Sequence, residues 1–407
     1  MNRRKFLKAA AASAAAISLP VGTFSILSRR STASGLLDDP RVLVVRDMAA
    51  HTGSQIEADI VRVMMDEAIR RYTNIMDVGE AYRSVFPGIS SDSVIGIKVN
   101  CINSSLSTHP MVVDALATGL QEMTFSGDPF PANNIIIWDR TTWELQNAGY
   151  AINSGSTGIR CFSSDSVGYD NMYLNCNGSY QHPSKILTEY CNYLISFGVM
   201  KNHGFAGVTF SMKNHYGSIQ NPGGMHGNNC NPYVPSVNQQ IRDVLGIQES
   251  LFIVDAVFGC YYGGPGGPPN MTYDGIILGE DRVAVDAVCR SILADHGCTT
   301  INISGYIDTA AQPPYSLGIA DLSQIERVDV LNPSKPVENL MVIHNGSDAI
   351  LEWSTPEYTG LFKILRSQDP EFNSYEEIAT LSGNSYTDPQ ALTSVEKYYY
   401  RVLKTWG

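Results

Sequence analysis

The chain has 407 residues, 43% of them apolar, more than one hydrophobic core usually holds, so two domains are expected. It carries 28 basic against 40 acidic residues; six of the basic and none of the acidic ones fall in the first 30 positions, so the remainder stands at 22 against 40, or -18. That balance excludes bulk-charge binding to nucleic acid and attraction to a membrane surface, and 35 glycines with 20 prolines favour turns around sheets over a helical bundle.

The first residues read Arg3-Arg4-Lys5-Phe6-Leu7-Lys8, followed by an alanine-rich apolar stretch from Ala9 to about Leu27. A basic start before a mildly apolar segment is the order of a secretory signal. The paired arginines followed by Phe-Leu-Lys resemble the twin-arginine motif, the address read by the twin-arginine translocation machinery. Ser31, Thr32, Ala33 and Ser34 suit a peptidase cleft, so a signal peptide over residues 1–34 is expected. A permanent anchor fits less well: Ser13, Ser18, Pro20, Gly22 and Thr23 interrupt the run, whereas a spanning helix needs roughly 20 strongly apolar residues. No later stretch is apolar enough to span, so the mature chain should be exported, to the periplasm, the cell envelope or the medium.

From Arg41 apolar strand-like runs alternate with amphipathic segments. Arg41–Arg46 reads as a strand, and Gln55–Tyr72 as a helix with Ile56, Ile60, Val63, Met64 and Ile69 on one face. Val94–Val99 is a second strand, and Pro110–Met123 a helix entered through a proline in its first turn. Further strands are expected at Ile135–Trp138, Leu194–Val199, Leu251–Val257 and Gly275–Leu278, the last running into a helix near Val283–Leu293. Nearly all-apolar strands alternating with helices predict an α/β domain over residues 40–330, its mostly parallel sheet covered on both sides. Residues 150–192, rich in Ser, Asn, Gly and Tyr, break the rhythm and read as an irregular excursion over one end of the sheet.

After a linker at residues 331–336 the pattern changes to short strands at Val337–Ile343, Ala349–Trp353, Phe362–Ser367 and Lys397–Val402, with no helical period between them, as in a small all-β sandwich. Leu351-Glu352-Trp353, Ile364-Leu365-Arg366-Ser367 and the run Tyr398-Tyr399-Tyr400-Arg401-Val402 resemble a fibronectin type III module, with Trp353 as the core tryptophan and Tyr398 or Tyr400 as the packed tyrosine. The usual seventh strand is missing before Gly407, which implies an incomplete module or an open edge.

Polar residues gather at the ends of the apolar strands, where open α/β sheets bind ligands. Lys98 and Asn100 follow the second strand, Thr108-His109-Pro110 opens a helix, and Asp139-Arg140 closes the third strand. The densest polar set is a doubled Met-Lys-Asn-His, at Met200–His203 and Met212–His215, with His226 and Cys230 in the loop beyond. Asp255 lies in a strand and Asp286 early in a helix; Lys98 pairing with Asp139 alone, or His109 as a plain helix cap, is the structural alternative. A buried lysine or carboxylate is costly unless paired or used, so several at strand ends favour a site. Gly263–Pro269 matches neither a P-loop nor a dinucleotide fingerprint, because its prolines break the strand-turn-helix context. The eight cysteines, at 101, 161, 176, 191, 230, 260, 289 and 298, contain no Cys-x-x-Cys, and no iron-sulfur or haem motif is present.

Ile97-Lys98-Val99-Asn100, Thr108-His109-Pro110, Met200-Lys201-Asn202-His203, Val208-Thr209 with Lys213-Asn214 and Gly217, Asp255-Ala256, Gly264-Pro265-x-Gly267 and Asp286-Ala287-Val288 together resemble the bacterial and archaeal family called domain of unknown function 362. The resemblance implies an α/β fold and a polar site containing the matched lysines, for a reaction not assigned. Lys98, His109, Asp139, Lys201, His203, Lys213 and Asp255 are the catalytic candidates. Asn100, Thr108, Asn214, Gly264 and Asp286 are the ligand-binding candidates, and His203, His215 and His226 the candidate metal ligands. The expected function is binding of a small anion, either by an enzyme that is metal- or cofactor-assisted or by a non-catalytic envelope or adhesion protein. Replacing Lys98 or Lys213 by Met should then abolish ligand binding and leave the fold intact.

Overall fold

A computed structural model describes residues 40–334, 337–354, 361–370, 374–389, 391, 393 and 397–405. The expected signal peptide, and Lys335-Pro336 of the expected linker, lie outside the described residues.

Nine strands form the main sheet: β1 (Arg41–Arg46), β2 (Ile95–Lys98), β3 (Ile135–Trp138), β4 (Arg160–Cys161), β5 (Tyr193–His203), β6 (Gly207–Thr209), β7 (Gln248–Cys260), β8 (Met271–Gly279) and β9 (Glu326–Leu331). Their order is β9-β1-β8-β7-β5-β2-β3-β4, with β6 folded back on β5. From β7 through β5, β2 and β3 to β4 all pairings are parallel, while β8 runs antiparallel to both β7 and β1. The sheet is thus mixed and mostly parallel. All eleven residues of β5 are buried, as a central strand covered on both faces requires.

Alternate side chains feed two cores. Leu43, Val45, Ile95, Ile97, Ile253 and Val257 pack with helices Ala58–Thr73, Val78–Ser84 and Pro110–Gln121. Val42, Val44, Ile136, Trp138, Val254 and Ala256 pack with helices Tyr233–Gln240 and Arg282–Asp295 on the other face.

Three boundaries differ from the sequence reading. The first helix starts at Ala58, because Gln55-Ile56 pairs with His51-Thr52 in a hairpin turned by Gly53 at φ 62°. Strands β5 and β7 are longer than their apolar runs, so that β5 carries Lys201 and His203 beyond the end of β2. Strand β9, whose charged residues hide its pattern, pairs parallel with β1; Asn332 and Ser334 are then held by Arg46 and Asp47, so the α/β unit extends past residue 330.

The C-terminal region contains two three-stranded antiparallel sheets. One joins Glu338–Asn345, Asp348–Ser354 and Ser385–Asp388; the other joins Glu376–Ser382, Leu361–Ser367 and Tyr399–Thr405. Trp353, Leu351, Phe362, Ile364 and Val402 are buried between them, with Tyr398 and Tyr400 packed alongside.

Candidate functional site

The carboxyl ends of β2, β3 and β5 enclose a cavity of about 150 Å³, lined among others by Lys98, Asn100, Asp139, His203, Thr209, Lys213, Asn214 and His226. Parallel strands present their last residues at one rim, so Lys98, Asp139 and the extension of β5 meet although far apart in the chain.

Its base is a closed polar network. Lys98 Nζ donates to Asp139 Oδ1 at 2.6 Å, the Val99 carbonyl at 2.7 Å and Asn214 Oδ1 at 3.1 Å, which uses all three ammonium protons. Asp139 also accepts from the backbone N–H groups of Cys101 and Arg140. Asn214 Nδ2 donates to the Lys98 carbonyl, and Asn100 Oδ1 accepts from Lys201 Nζ at 2.8 Å. Lys98 and Asp139 therefore answer each other's charge, and the Lys98 ammonium has no proton left for a ligand. Gly217 lies against this pair: a Cβ there would stand 2.7 Å from Lys98 Nζ and 2.8 Å from Asp139 Oδ1.

Lys213 differs. It follows the turn that enters the 3₁₀ helix Lys213–Ser218, is 7% exposed, and has no carboxylate partner among the described residues. Its Nζ lies 4.4 Å from the centre of the Tyr216 ring and 3.5 Å from His226 Nε2. Burial without a counter-charge lowers its pKa from the ordinary lysine value to about 8.

Two imidazoles stack beside it, with ring centres 5.6 Å apart. His203 Nδ1 accepts the backbone N–H groups of Phe205 and Ala206, so its proton sits on Nε2. Burial and the neighbouring Lys213 depress its pKa to about 3, which keeps the ring neutral. His226 Nδ1 donates to the Gly223 carbonyl, leaving the Nε2 lone pair toward Lys213; its pKa too is lowered, first by burial and then by that ammonium. The Thr209 hydroxyl, buried in the cavity wall, has no hydrogen-bond partner among the described residues.

The remaining candidates lie elsewhere. Lys201 is fully buried and binds Asn100 and the Leu106 carbonyl; burial lowers its pKa to about 8. Gly264 N–H donates to Asn202 Oδ1, and a Cβ on Gly264 would fall 2.3 Å from the Asn202 carbonyl oxygen, so only glycine lets this loop bring Pro265 to the cavity. Asp286 accepts the backbone N–H groups of Ser211 and Met212 and the Ser211 hydroxyl, holding the turn before Lys213; full burial raises its pKa to about 7. His215 pairs with Glu249, which pairs in turn with Arg282, all away from the cavity. The three candidate metal histidines are therefore not one ligand set, and among the described residues no three His, Cys, Asp or Glu side chains are grouped to hold a metal.

His109 and Asp255 are on the opposite face of the sheet. His109 Nδ1 lies 2.7 Å from Asp255 Oδ2, which also accepts the His109 backbone N–H. His109 borders a separate groove with Phe258 and Asn270, and Thr108 bonds inward to the Phe197 carbonyl. The sequence reading placed all these groups in one site; strand parity separates them, since Asp255 projects toward the core of Ile253 and Val257, and Lys98 toward Trp138.

Sequence reasoning did not single out Thr209, Tyr216 or Gly217 as site residues, although Thr209 and Gly217 stood in its motif. The signals were the buried threonine beside a lysine and a glycine three residues after Asn214. All eight cysteines are buried and free.

Fold and cavity together define an α/β domain with a small polar cavity at the ends of its parallel strands, lined by the cations Lys98, Arg140 and Lys213 and the carboxylates Asp139 and Glu144. Residues 95–291, which contain every residue named as lining that pocket, match the family described as domain of unknown function (DUF362). Residues 1–20 match the TAT (twin-arginine translocation) pathway signal sequence, so the chain is exported; no described helix is long and apolar enough to cross a membrane. No curated protein matches the chain. A crystal structure of a Thermotoga maritima protein is similar at 9% identity and a TM-score of 0.34, over 63% of this chain and 60% of that one, so the chain spans less than two thirds of that protein.

Proposed function

We propose that this exported protein binds a small anion through Lys213. One observation carries the reading: a buried ammonium with no carboxylate partner among the described residues faces a cavity of about 150 Å³. A buried charge is costly unless answered, and an anion in the cavity answers it. The Thr209 hydroxyl, without a partner among the described residues, and the His203 Nε2–H supply two further donors suited to a carboxylate or a phosphate-like oxyanion. Lys98 holds Asp139 and Asn214 in place, and Lys201 positions Asn100.

Lys213, with its pKa near 8, and the free lone pair of His226 at 3.5 Å form a couple able to hold and pass a proton, which supports an enzyme of unassigned reaction acting on that anion. The histidines' geometry does not fit a metal centre, so no step is routed through one.

A second reading, a non-catalytic ligand-binding protein of the envelope, is supported by the C-terminal pair of antiparallel sheets around Trp353. Their fibronectin type III-like pattern suits a spacer or adhesion unit.

The test is calorimetric titration of the mature protein with sulfate, phosphate and short carboxylates. Wild type should bind at least one of them with a 1:1 stoichiometry, and Lys213→Met and Thr209→Val should weaken it. Equal binding by Lys213→Met would show that the anion is held elsewhere.

A further inference from the structure

We infer that the anion taken by this pocket is amphiphilic, a small anionic head joined to an aliphatic or aromatic body that rests on the pocket's mouth. The inference rests on the anion-binding reading of Lys213 and adds the chemical class of the ligand. The cavity is small, and its about 150 Å³ holds a head group with only a few further atoms. Around it the chain displays apolar groups that the fold does not use.

Ile102 lines the cavity yet is 58% exposed. Phe205 is 64% exposed, its ring centre 6.2 Å from that of His203 and 6.1 Å from that of His226, the two imidazoles of the cavity wall. Pro222 and Pro265 complete the lining. Pro222 is buried at the start of the 3₁₀ helix Pro222–His226, whereas the exposed Ile102 and Phe205 belong to none of the buried clusters.

Their places are nonetheless fixed. Asn103 Nδ2 donates to the Pro265 and Gly267 carbonyls, tying the Ile102 loop to the Pro265 loop, and Phe205 N–H donates to His203 Nδ1. Solvent-facing apolar side chains on tethered loops beside a polar pocket are what a ligand with an apolar body would cover. Sulfate or phosphate alone would leave them wet.

The experiment measures affinities of the mature protein for straight-chain carboxylates from acetate to octanoate, with sulfate as a head-only probe. Each methylene that reaches the mouth should tighten binding by about three- to fourfold until the rim is covered. Ile102→Ser and Phe205→Ser, both on exposed side chains, should flatten that gradient and leave sulfate binding unchanged. Sulfate and acetate binding with no gain along the series overturns this inference alone. Failure of every anion to bind overturns the anion site and the inference with it. A gradient that survives both substitutions also overturns it, because the apolar body would then lie elsewhere.

Discussion

Replacing Lys213 by Met should stabilise the ligand-free protein, contrary to what removal of a buried polar side chain normally does. The Lys213 pKa is lowered from 10.5 to about 8, so holding its charged form in the fold costs ~3 kcal/mol at neutral pH. Met keeps a flexible apolar stem of similar length and removes the charge. At pH 7 and without added anion, the variant should therefore unfold at higher urea, by up to ~3 kcal/mol with an unchanged denaturant slope. The pH dependence carries the sharper test. Because the folded pKa lies below the unfolded one, the unfolded chain binds the extra proton between about 8 and 10.5, and wild-type stability rises with pH across that window. The advantage of Lys213→Met should accordingly be constant below pH 8 and vanish by 10.5. Lys201 is depressed chiefly by its own burial, with the Lys213 charge the smallest of its named causes, so it adds little to the difference. Loss of stability in the variant at pH 7, or a gap that does not close at alkaline pH, would refute the claim that the ammonium is uncompensated.

Sulfate, whose charge does not change in this range, should bind wild type with an affinity flat below pH 8 and falling about tenfold per pH unit above it, as calorimetry would register. Lys98→Met should cost about 3–5 kcal/mol of stability by leaving Asp139 buried and uncompensated, so the variant should show a lowered urea midpoint rather than a clean binding defect. Gly217→Ala should likewise destabilise the domain and weaken anion binding, since its methyl group cannot fit beside Lys98 and Asp139; a variant as stable as wild type would show that the loop yields freely. Nitrogen-15 spectra of the imidazoles should show His203 neutral at pH 6 and protonated on Nε2, and the neutral form of His226 protonated on Nδ1; a charged His203 there would contradict its burial beside Lys213.

Local chemistry decided much of this protein before folding was considered. The paired arginines, the near-continuous apolar runs alternating with helical spacings, and the short C-terminal strands are properties of neighbouring residues, and they announced the export signal, the α/β domain and the all-β tail. The repeated Met-Lys-Asn-His drew attention to the right segment, and Lys98, Asn100, Asp139, His203, Lys213, Asn214 and His226 do meet at one cavity. Roles within that set were not legible, because each depends on a partner distant in the chain. Lys98 is matched by Asp139, 41 residues away, whereas Lys213 meets a neutral imidazole and the face of the Tyr216 ring, with no carboxylate partner among the described residues. The two His residues of the repeat diverge as well, one to the cavity and one to Glu249 and Arg282. Strand parity, fixed when β7 paired with β5 and β8, sent Asp255 and His109 to the opposite face. A sequence states which side chains are present and at what local spacing; only the register of distant strands decides which charges are neutralised, and hence which one is left for a ligand.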